Sequence, residues 1–311
     1  MVGTRLASSA SAPGLPRPGR RLYRWLVRVA VGLADQVIVY SAFSRAELGR
    51  HLRLPAERVA VIPLGVDPRF RPAADAPDAA LRARLGLPDR VVLALGKSYP
   101  HKNFDTLLVA FAKVVAGGRV PHHLVLAGER SVGPASQPLD GLILRLHLAG
   151  RVHRVDHVPD PDLPGLYRAA DLFVYPSRYE AFGLPPLEAM ASGVPVVSGR
   201  AGSLPEVLGR AALFVDPEDA DGLAAAVEVA LTDAARRDGL IGDGLAHARR
   251  FTWTETAART AAVYHRALED PPPAGTEAPR GRGLPHLALR AGGVLEHALD
   301  RLRPRGRRGG G

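Results

Sequence analysis

The sequence predicts an α/β architecture: a doubly wound parallel sheet preceded by a smaller α/β unit. Three observations carry that expectation. Short runs such as Val-Val-Leu-Ala-Leu (91–95) and Leu-Phe-Val-Tyr (172–175) are apolar throughout, as strands covered on both faces must be. Stretches with apolar residues at helical spacing lie between them, the alternation that builds a parallel sheet. Gly, Pro and Asn punctuate the junctions. At 311 residues and 46% hydrophobic content, the chain can fill more than one core.

Taken in order, residues 1–20 are rich in Ser, Pro, Gly and Arg and are expected to lack order. Leu22, Trp25, Leu26, Val29, Ala30 and Leu33 recur at helical spacing, with Arg21, Arg24 and Arg28 off that stripe, so a helix is expected over 21–34. A strand follows at 36–40. Ser44-Arg-Ala-Glu47 has the form of a capping box opening a helix to Leu52. Another strand at 59–63 runs into Leu-Gly-Val-Asp-Pro (64–68), a turn or hinge. Beyond an Ala/Pro-rich connector, strands are expected at 91–95, 124–127, 151–155, 172–175, 194–198 and 213–215. Helices are expected at 103–116, 138–149, 161–169, 186–192, 204–208, 219–231, 233–250 and 253–268. The Pro-Pro-Pro and Gly-Arg composition past Asp270 reads as a linker and basic end, with a short helix near 287–302.

The formal charge of +10 is unevenly placed: residues 1–30 carry six Arg and no acid, and residues 271–311 carry eight Arg against three acids. The body between is near neutral, which argues against a nucleic-acid binder, because counterion release needs many clustered cations. Basic ends remain compatible with an anionic membrane surface. No apolar run of about 18 residues exists to span a bilayer. The absence of cysteine removes disulfides, thiolate metal sites and cysteine nucleophiles, and fits a reducing cytoplasm.

In a doubly wound sheet, ligands bind outside the carboxyl ends of the strands. The loop 96–103, Gly-Lys-Ser-Tyr-Pro-His-Lys-Asn, is one such end and holds Lys97 and Lys102, two of only three lysines in the chain. Where Arg is the default cation, two compact ammonium groups beside a helix start capped by Asn103 suit a diphosphate, although solvated loop lysines are the simpler alternative. The loop after 172–175 carries Glu180, and Pro186 suits the first turn of the next helix, which contains Glu188. The Gly183-Leu184 backbone at that helix start offers unpaired N–H groups. Carboxylates accept hydrogen bonds only, so they suit the paired hydroxyls of a sugar, while a helix start also favours Glu188 on electrostatic grounds alone. A two-carboxylate glycosidase would need one protonated partner across the scissile bond, and no residue is singled out for that role. His153 and His157 fall across a strand and its loop rather than on one helical face, so they make no zinc pair. Glu129 stands at a strand end, where it either lines the site or is solvated; His101 either touches phosphate or caps a turn. Ser203-Leu-Pro-Glu206 has capping-box form and reads as a helix start.

The stretch 178–197, Arg-Tyr-Glu-Ala-Phe-Gly-Leu-Pro-Pro-Leu-Glu-Ala-Met-Ala-Ser-Gly-Val-Pro-Val-Val, resembles the E-x7-E segment of glycosyltransferase family 4, retaining GT-B enzymes that use nucleotide-sugar donors. Leu-Gly-Val-Asp (64–67), Gly96 with Lys97, Lys102-Asn103, and segments 107–111, 124–129, 163–173 and 203–215 support it in order, so the resemblance spans about 33–268. It implies a GT-B-like fold with a complete Rossmann-like donor domain at 71–252. A remnant of the acceptor domain at 33–70, a basic segment at 1–32, a returning helix at 253–270 and a basic flexible tail at 271–311 make up the rest. It also implies roles. Lys97 and Lys102 would grip the donor diphosphate, with Gly96 beside them. Glu180 would meet the donor sugar's hydroxyls, and Phe182, Gly183 and Leu184 would give backbone contacts. Glu188 would take the ribose hydroxyls, and Val155 would lie near the base. No metal or cofactor is implied beyond the nucleotide-sugar donor. The acceptor would be a glycan or glycolipid, with mannose-like hexosyl transfer favoured, in the cytoplasm or peripherally at the inner face of the membrane. Asp156 stands where relatives often have Gly, and the glycine-rich loop and acceptor-side histidine of the family have no counterpart in 1–32. A silent nucleotide-sugar-binding module, completed by another chain, and an epimerase of the same architecture are the alternatives.

Overall fold

The computed structural model describes residues 17–72, 79–129 and 139–269. The basic tail at 271–311, with its expected helix near 287–302, and most of the Ser/Pro/Gly segment at the start lie outside the described residues.

The first unit is small. Helix α1 (Arg17–Leu33) leads to strand β1 (Val37–Val39), helix α2 (Ala42–Leu52) and strand β2 (Val59–Val61), and β1 and β2 pair in parallel. Helix α1 begins four residues before the expected start, and its buried residues are Val27 and Val31. The expected apolar stripe is largely outside: Leu22, Trp25, Leu26 and Leu33 are exposed. The local core that could bury such a stripe is narrow, with Val39, Leu48 and Val59 at its centre.

The second unit contains helix α3 (Ala79–Leu85), strand β3 (Val91–Leu95), helix α4 (Phe104–Ala116), strand β4 (His123–Ala127), helix α5 (Leu139–Arg145), strand β5 (Val152–Val155) and helix α6 (Leu163–Arg168). It continues through strand β6 (Leu172–Tyr175), helix α7 (Leu184–Ala191), strand β7 (Val196–Gly199), helix α8 (Leu204–Leu208), strand β8 (Leu213–Val215), and helices α9 (Ala220–Thr232) and α10 (Ala234–Ala248). All six strands pair in parallel in the order β5-β4-β3-β6-β7-β8. Because β4 and β5 lie to one side of β3 and β6 to β8 to the other, chain direction across the sheet reverses between β3 and β6, the switch point at which such folds open a crevice.

The four central strands β4, β3, β6 and β7 are buried on both faces, while the edge strands β5 and β8 are half-buried. Val91 and Leu93 join Phe173, Tyr175, Val196 and helices α6, α7 and α8 on one side, while Val92 and Ala94 join Leu124, Val174, Val197 and helices α4, α5 and α9 on the other. That alternation explains why the strands read as continuous apolar runs.

The chain crosses between the two units twice. The Val66 amide donates to the Phe251 carbonyl at 3.1 Å, and Gly65 packs so closely that a Cβ there would lie 2.2 Å from the Trp253 nitrogen. Helix α11 (Trp253–Glu269) then returns toward the first unit, the Thr256 hydroxyl donating to the Pro63 carbonyl at 2.8 Å.

Several local expectations are corrected. Helix α2 starts at Ala42, not Ser44, because Ser41 is the cap whose hydroxyl accepts from the Ser44 amide. Helix α3 occupies what reads as connector, held by Leu81 in the core and by Arg82, which donates to the carbonyls of Pro88 and Ala169 at 2.6 and 2.9 Å. Helix α5 stops at Arg145, since His147 takes a left-handed turn with φ 54°. Helix α7 starts at Leu184, two residues ahead of Pro186, because Gly183 adopts φ 102° and ends the preceding loop there.

Candidate functional site

Two loops meet at the switch point: residues 96–103 after β3 and 176–183 after β6. Lys102 and Glu180 face each other across it. The Lys102 Nζ donates to Glu180 Oε1 at 2.8 Å and to the Tyr175 hydroxyl at 2.6 Å, and lies 4.7 Å from the Tyr175 ring centroid. Each side chain of the ion pair is only 15% exposed, so the pair sits where electrostatic interactions are little screened. Tyr175 is buried, which pushes its hydroxyl well above the usual range and keeps it neutral.

Glycines let this lysine lie flat across the strand ends. Gly96 has φ 149°, and a Cβ there would come within 3.2 Å of the Lys102 Cε. At the neighbouring strand end a Cβ on Gly128 would come within 2.6 Å of the Gly96 carbonyl oxygen. Lys97 occupies a different setting from Lys102: it pairs with Glu129 at 2.5 Å, both side chains more than half exposed. Val155 ends β5, and its carbonyl accepts from the Gly128 amide at 2.9 Å, tying it to the same row of strand ends. Asn103 does not cap α4 through its side chain. Its amide donates to the carbonyls of Pro176 and Pro217, at 2.9 and 2.6 Å, and so ties the two site loops together.

Arg178 fixes the second loop further, donating to Glu218 at 2.5 Å, to Asp105 at 3.2 Å and to the Pro100 carbonyl at 3.0 Å. Phe182 is buried edge-on against Phe251, with centroids 6.0 Å apart. At Gly183 a Cβ would lie 2.6 Å from Leu204 Cδ2, so both its positive φ and the space demand glycine. Leu184 opens α7 directly after it.

Glu188, one turn into α7, accepts from the hydroxyl of buried Tyr167 at 2.8 Å. Burial raises the Glu188 carboxyl above its ordinary range, opposed by the Tyr167 hydrogen bond and by Arg69. Arg69 is itself held by Asp160, with one contact at 2.8 Å. The two glutamates of the motif therefore have separate supports, a cation for Glu180 and a phenol for Glu188.

Sequence reasoning missed Tyr175 and Tyr167, since tyrosines at a strand end and on a helix carry no distinctive spacing. Ser203 stands at the start of α8 as expected, but the capping-box bonds are not made. The Ser203 hydroxyl makes no cap; it donates to the carbonyls of Glu180 and Phe182 at 3.1 and 2.9 Å, while Glu206 reaches the start of α2. Among the described residues no group of three His, Cys, Asp or Glu is placed to hold a metal ion. His153 meets His123 at 3.0 Å instead of His157.

The family profile described as glycosyl transferases group 1 matches residues 79–244, and that of glycosyltransferase family 4 matches residues 7–70. The chain belongs to the group 1 glycosyl transferases. The O-antigen chain mannosyltransferase B of Escherichia coli is 37% identical over 232 residues, covering 74% of this chain and 60% of that protein. A D-inositol 3-phosphate glycosyltransferase of Thermobispora bispora is 38% identical over 249 residues, covering 77% of this chain and 58% of that protein. The chain thus spans roughly three-fifths of the length of these relatives. Among solved structures, sucrose-phosphate synthase of Thermosynechococcus elongatus superposes with TM-score 0.69 at 30% identity, over 84% of this chain and 64% of that one. The Anabaena protein HepE, in complex with UDP and glucose, superposes with TM-score 0.68 at 27% identity, over 76% and 66%. These superpositions give the architecture as that of GT-B glycosyltransferases.

Proposed function

We propose that this chain binds a nucleoside-diphosphate hexose between the loops after β3 and β6 and transfers the hexosyl group, with retention, to a glycan or lipid-linked acceptor. The observation that carries this reading is the shielded Lys102–Glu180 pair at the switch point, flanked by Lys97, Gly96 and the start of α7. A diphosphate entering there competes with Glu180 for the Lys102 ammonium. Each anion it brings is then met by a cation, and the released Glu180 carboxylate turns to the hydroxyls of the donor sugar. Glu188, anchored through one oxygen by Tyr167, offers its remaining acceptor capacity to the ribose. The base lies near Val155.

In the transfer step the bond from the anomeric carbon to the diphosphate oxygen breaks, and a bond to the acceptor oxygen forms on the same face. The acceptor proton passes to the departing diphosphate. Lys97 and Lys102 stabilise the charge that develops on that leaving group, and positioning supplies the remainder. The mannosyltransferase among the relatives supports a mannose-like donor sugar, whereas HepE was solved with UDP and glucose.

The test is acceptor-dependent release of nucleoside diphosphate from a panel of UDP- and GDP-hexoses. Release that rises with added glycan or glycolipid supports transfer. Binding without release supports a donor-binding module completed by another chain. Release of a rearranged donor without acceptor would point to an epimerase.

A further inference from the structure

The three carbonyls of the segment 180–182 are held from two sides. Ser203, from the second unit, takes those of Glu180 and Phe182. The Ala181 carbonyl, between them, faces the first unit, where it accepts from Ser41 Oγ at 2.7 Å and Ser44 Oγ at 3.2 Å. Both serines are buried, at 0% and 2% exposure. A reciprocal contact runs the other way: the Glu206 carboxylate, from α8, accepts from the Ala42 and Phe43 amides at 2.7 and 3.0 Å, supplying the start of α2 with partners its own helix cannot provide. Phe43 meets Tyr179 edge-on, with ring centroids 5.6 Å apart. A 270 Å³ cavity lined by Tyr40, Leu64, Phe182, Glu206, Phe251 and Thr252 lies between these contacts and the crossing at Gly65 and Val66.

We infer that Ser41, Ser44 and Glu206 are positioning residues: a latch between the two units through which seating of the first unit sets the loop that carries Glu180. The contacts are cooperative by construction. Glu206 holds α2 by its first two amides; α2 in turn presents the serines to the Ala181 carbonyl; and Ser203, two residues before Pro205 and three before Glu206, holds the carbonyls on either side. Loss of the Glu206 contact lets the start of α2 drift, and the Ala181 carbonyl loses its partners although Glu206 never touches it. The first unit, in this account, is more than a platform for the acceptor. It orients the Glu180 carboxylate from behind.

This inference rests on the donor-site reading above, and its test does not require turnover. Amide hydrogen exchange is followed in the full chain for the peptides covering 176–184 and 200–205, in which the Arg178 amide donates to the His101 carbonyl at 2.8 Å and the Ser203 amide to the Glu180 carbonyl at 3.1 Å, in the wild type and in Ser41→Ala/Ser44→Ala, Glu206→Ala and Ser41→Thr. The latch predicts that exchange of these two amides accelerates at least about tenfold in both alanine variants, while β6 (Leu172–Tyr175) is unchanged and Ser41→Thr, which keeps the hydroxyl, stays within about threefold of wild type. Unchanged exchange of both peptides in Glu206→Ala overturns the coupling. Equal acceleration in β6 also overturns it, since that reports general loosening. Nucleoside diphosphate is added in parallel; its failure to bind the wild type would sink the donor-site reading while the comparison among variants still decides the latch.

Discussion

Glu180 and Glu188 belong to one short motif yet experience opposite surroundings, and that difference separates their variants. Glu180 accepts from the Lys102 ammonium, and Glu188 faces a neutral phenol in a setting that raises its carboxyl. Glu180→Gln is expected to lower kcat about tenfold or more while donor affinity changes less than threefold, because its hydroxyl contacts matter most as the sugar separates. Steady-state rates with calorimetric donor affinities check this, and equal losses in both would contradict it. For Glu188 the sign follows from burial. A carboxyl raised above its unfolded value of 4.5 contributes stability below that value, and this contribution is lost as pH rises through the raised folded value. Ribose binding needs the ionised form, so nucleotide affinity is expected to fall as pH drops from 7 toward the raised value. Glu188→Gln should bind more weakly at pH 7 and lose most of that pH dependence, as titrations at several pH values will show.

At the scale of elements, strands β3, β6 and β8 have the bounds their apolar runs predict; for β3 and β6 the reason is burial on both faces, while β8 is a half-buried edge strand. The starts of α4 and α8 fall where the sequence places them, but the use of their cap residues was less legible. Asn103 and Ser203 have capping chemistry, but their side chains are spent on carbonyls of other loops, a tertiary use that local spacing does not encode. Helix α3 was hidden by its Ala- and Arg-rich composition, since its one buried anchor is Leu81. The placement of Lys102 against Glu180 depends on two strand ends brought side by side by sheet order; the loops announced themselves, their pairing did not. Glycine substitutions test the packing of those ends. Gly128→Ala puts a Cβ 2.6 Å from the Gly96 oxygen at φ 120°, and is expected to cost about 1–3 kcal/mol. Gly49→Ala, in α2 with nothing within 4 Å of the new Cβ, should gain about 0.5–1 kcal/mol. Thermal unfolding of the two variants should move Tm in opposite directions, by a few degrees each.

For the whole molecule, the fold and family were readable from the sequence because the E-x7-E stretch occupies the loop and helix after β6, at the switch point of the sheet. Membrane contact is a separate proposal at this scale. Helix α1 has no acidic residue, exposes Arg24 and Arg28, and leaves Leu22, Trp25, Leu26 and Leu33 in solvent. Such a helix suits the surface of an anionic bilayer. Co-sedimentation with vesicles containing anionic lipid is expected, falling at least about fivefold in Trp25→Ser/Leu26→Ser and with neutral vesicles; recovery independent of lipid charge would remove the idea.

The central claim is that a nucleoside diphosphate sits between the loops after β3 and β6 and is gripped by Lys102. Calorimetric titration of the chain with UDP and GDP, wild type against Lys102→Ala, tests it most directly. Saturable one-to-one binding by one of them, weakened at least about tenfold in Lys102→Ala with Tm retained, is the expected result. Equal affinity in the two proteins, or no binding of either nucleotide to the wild type, would contradict it.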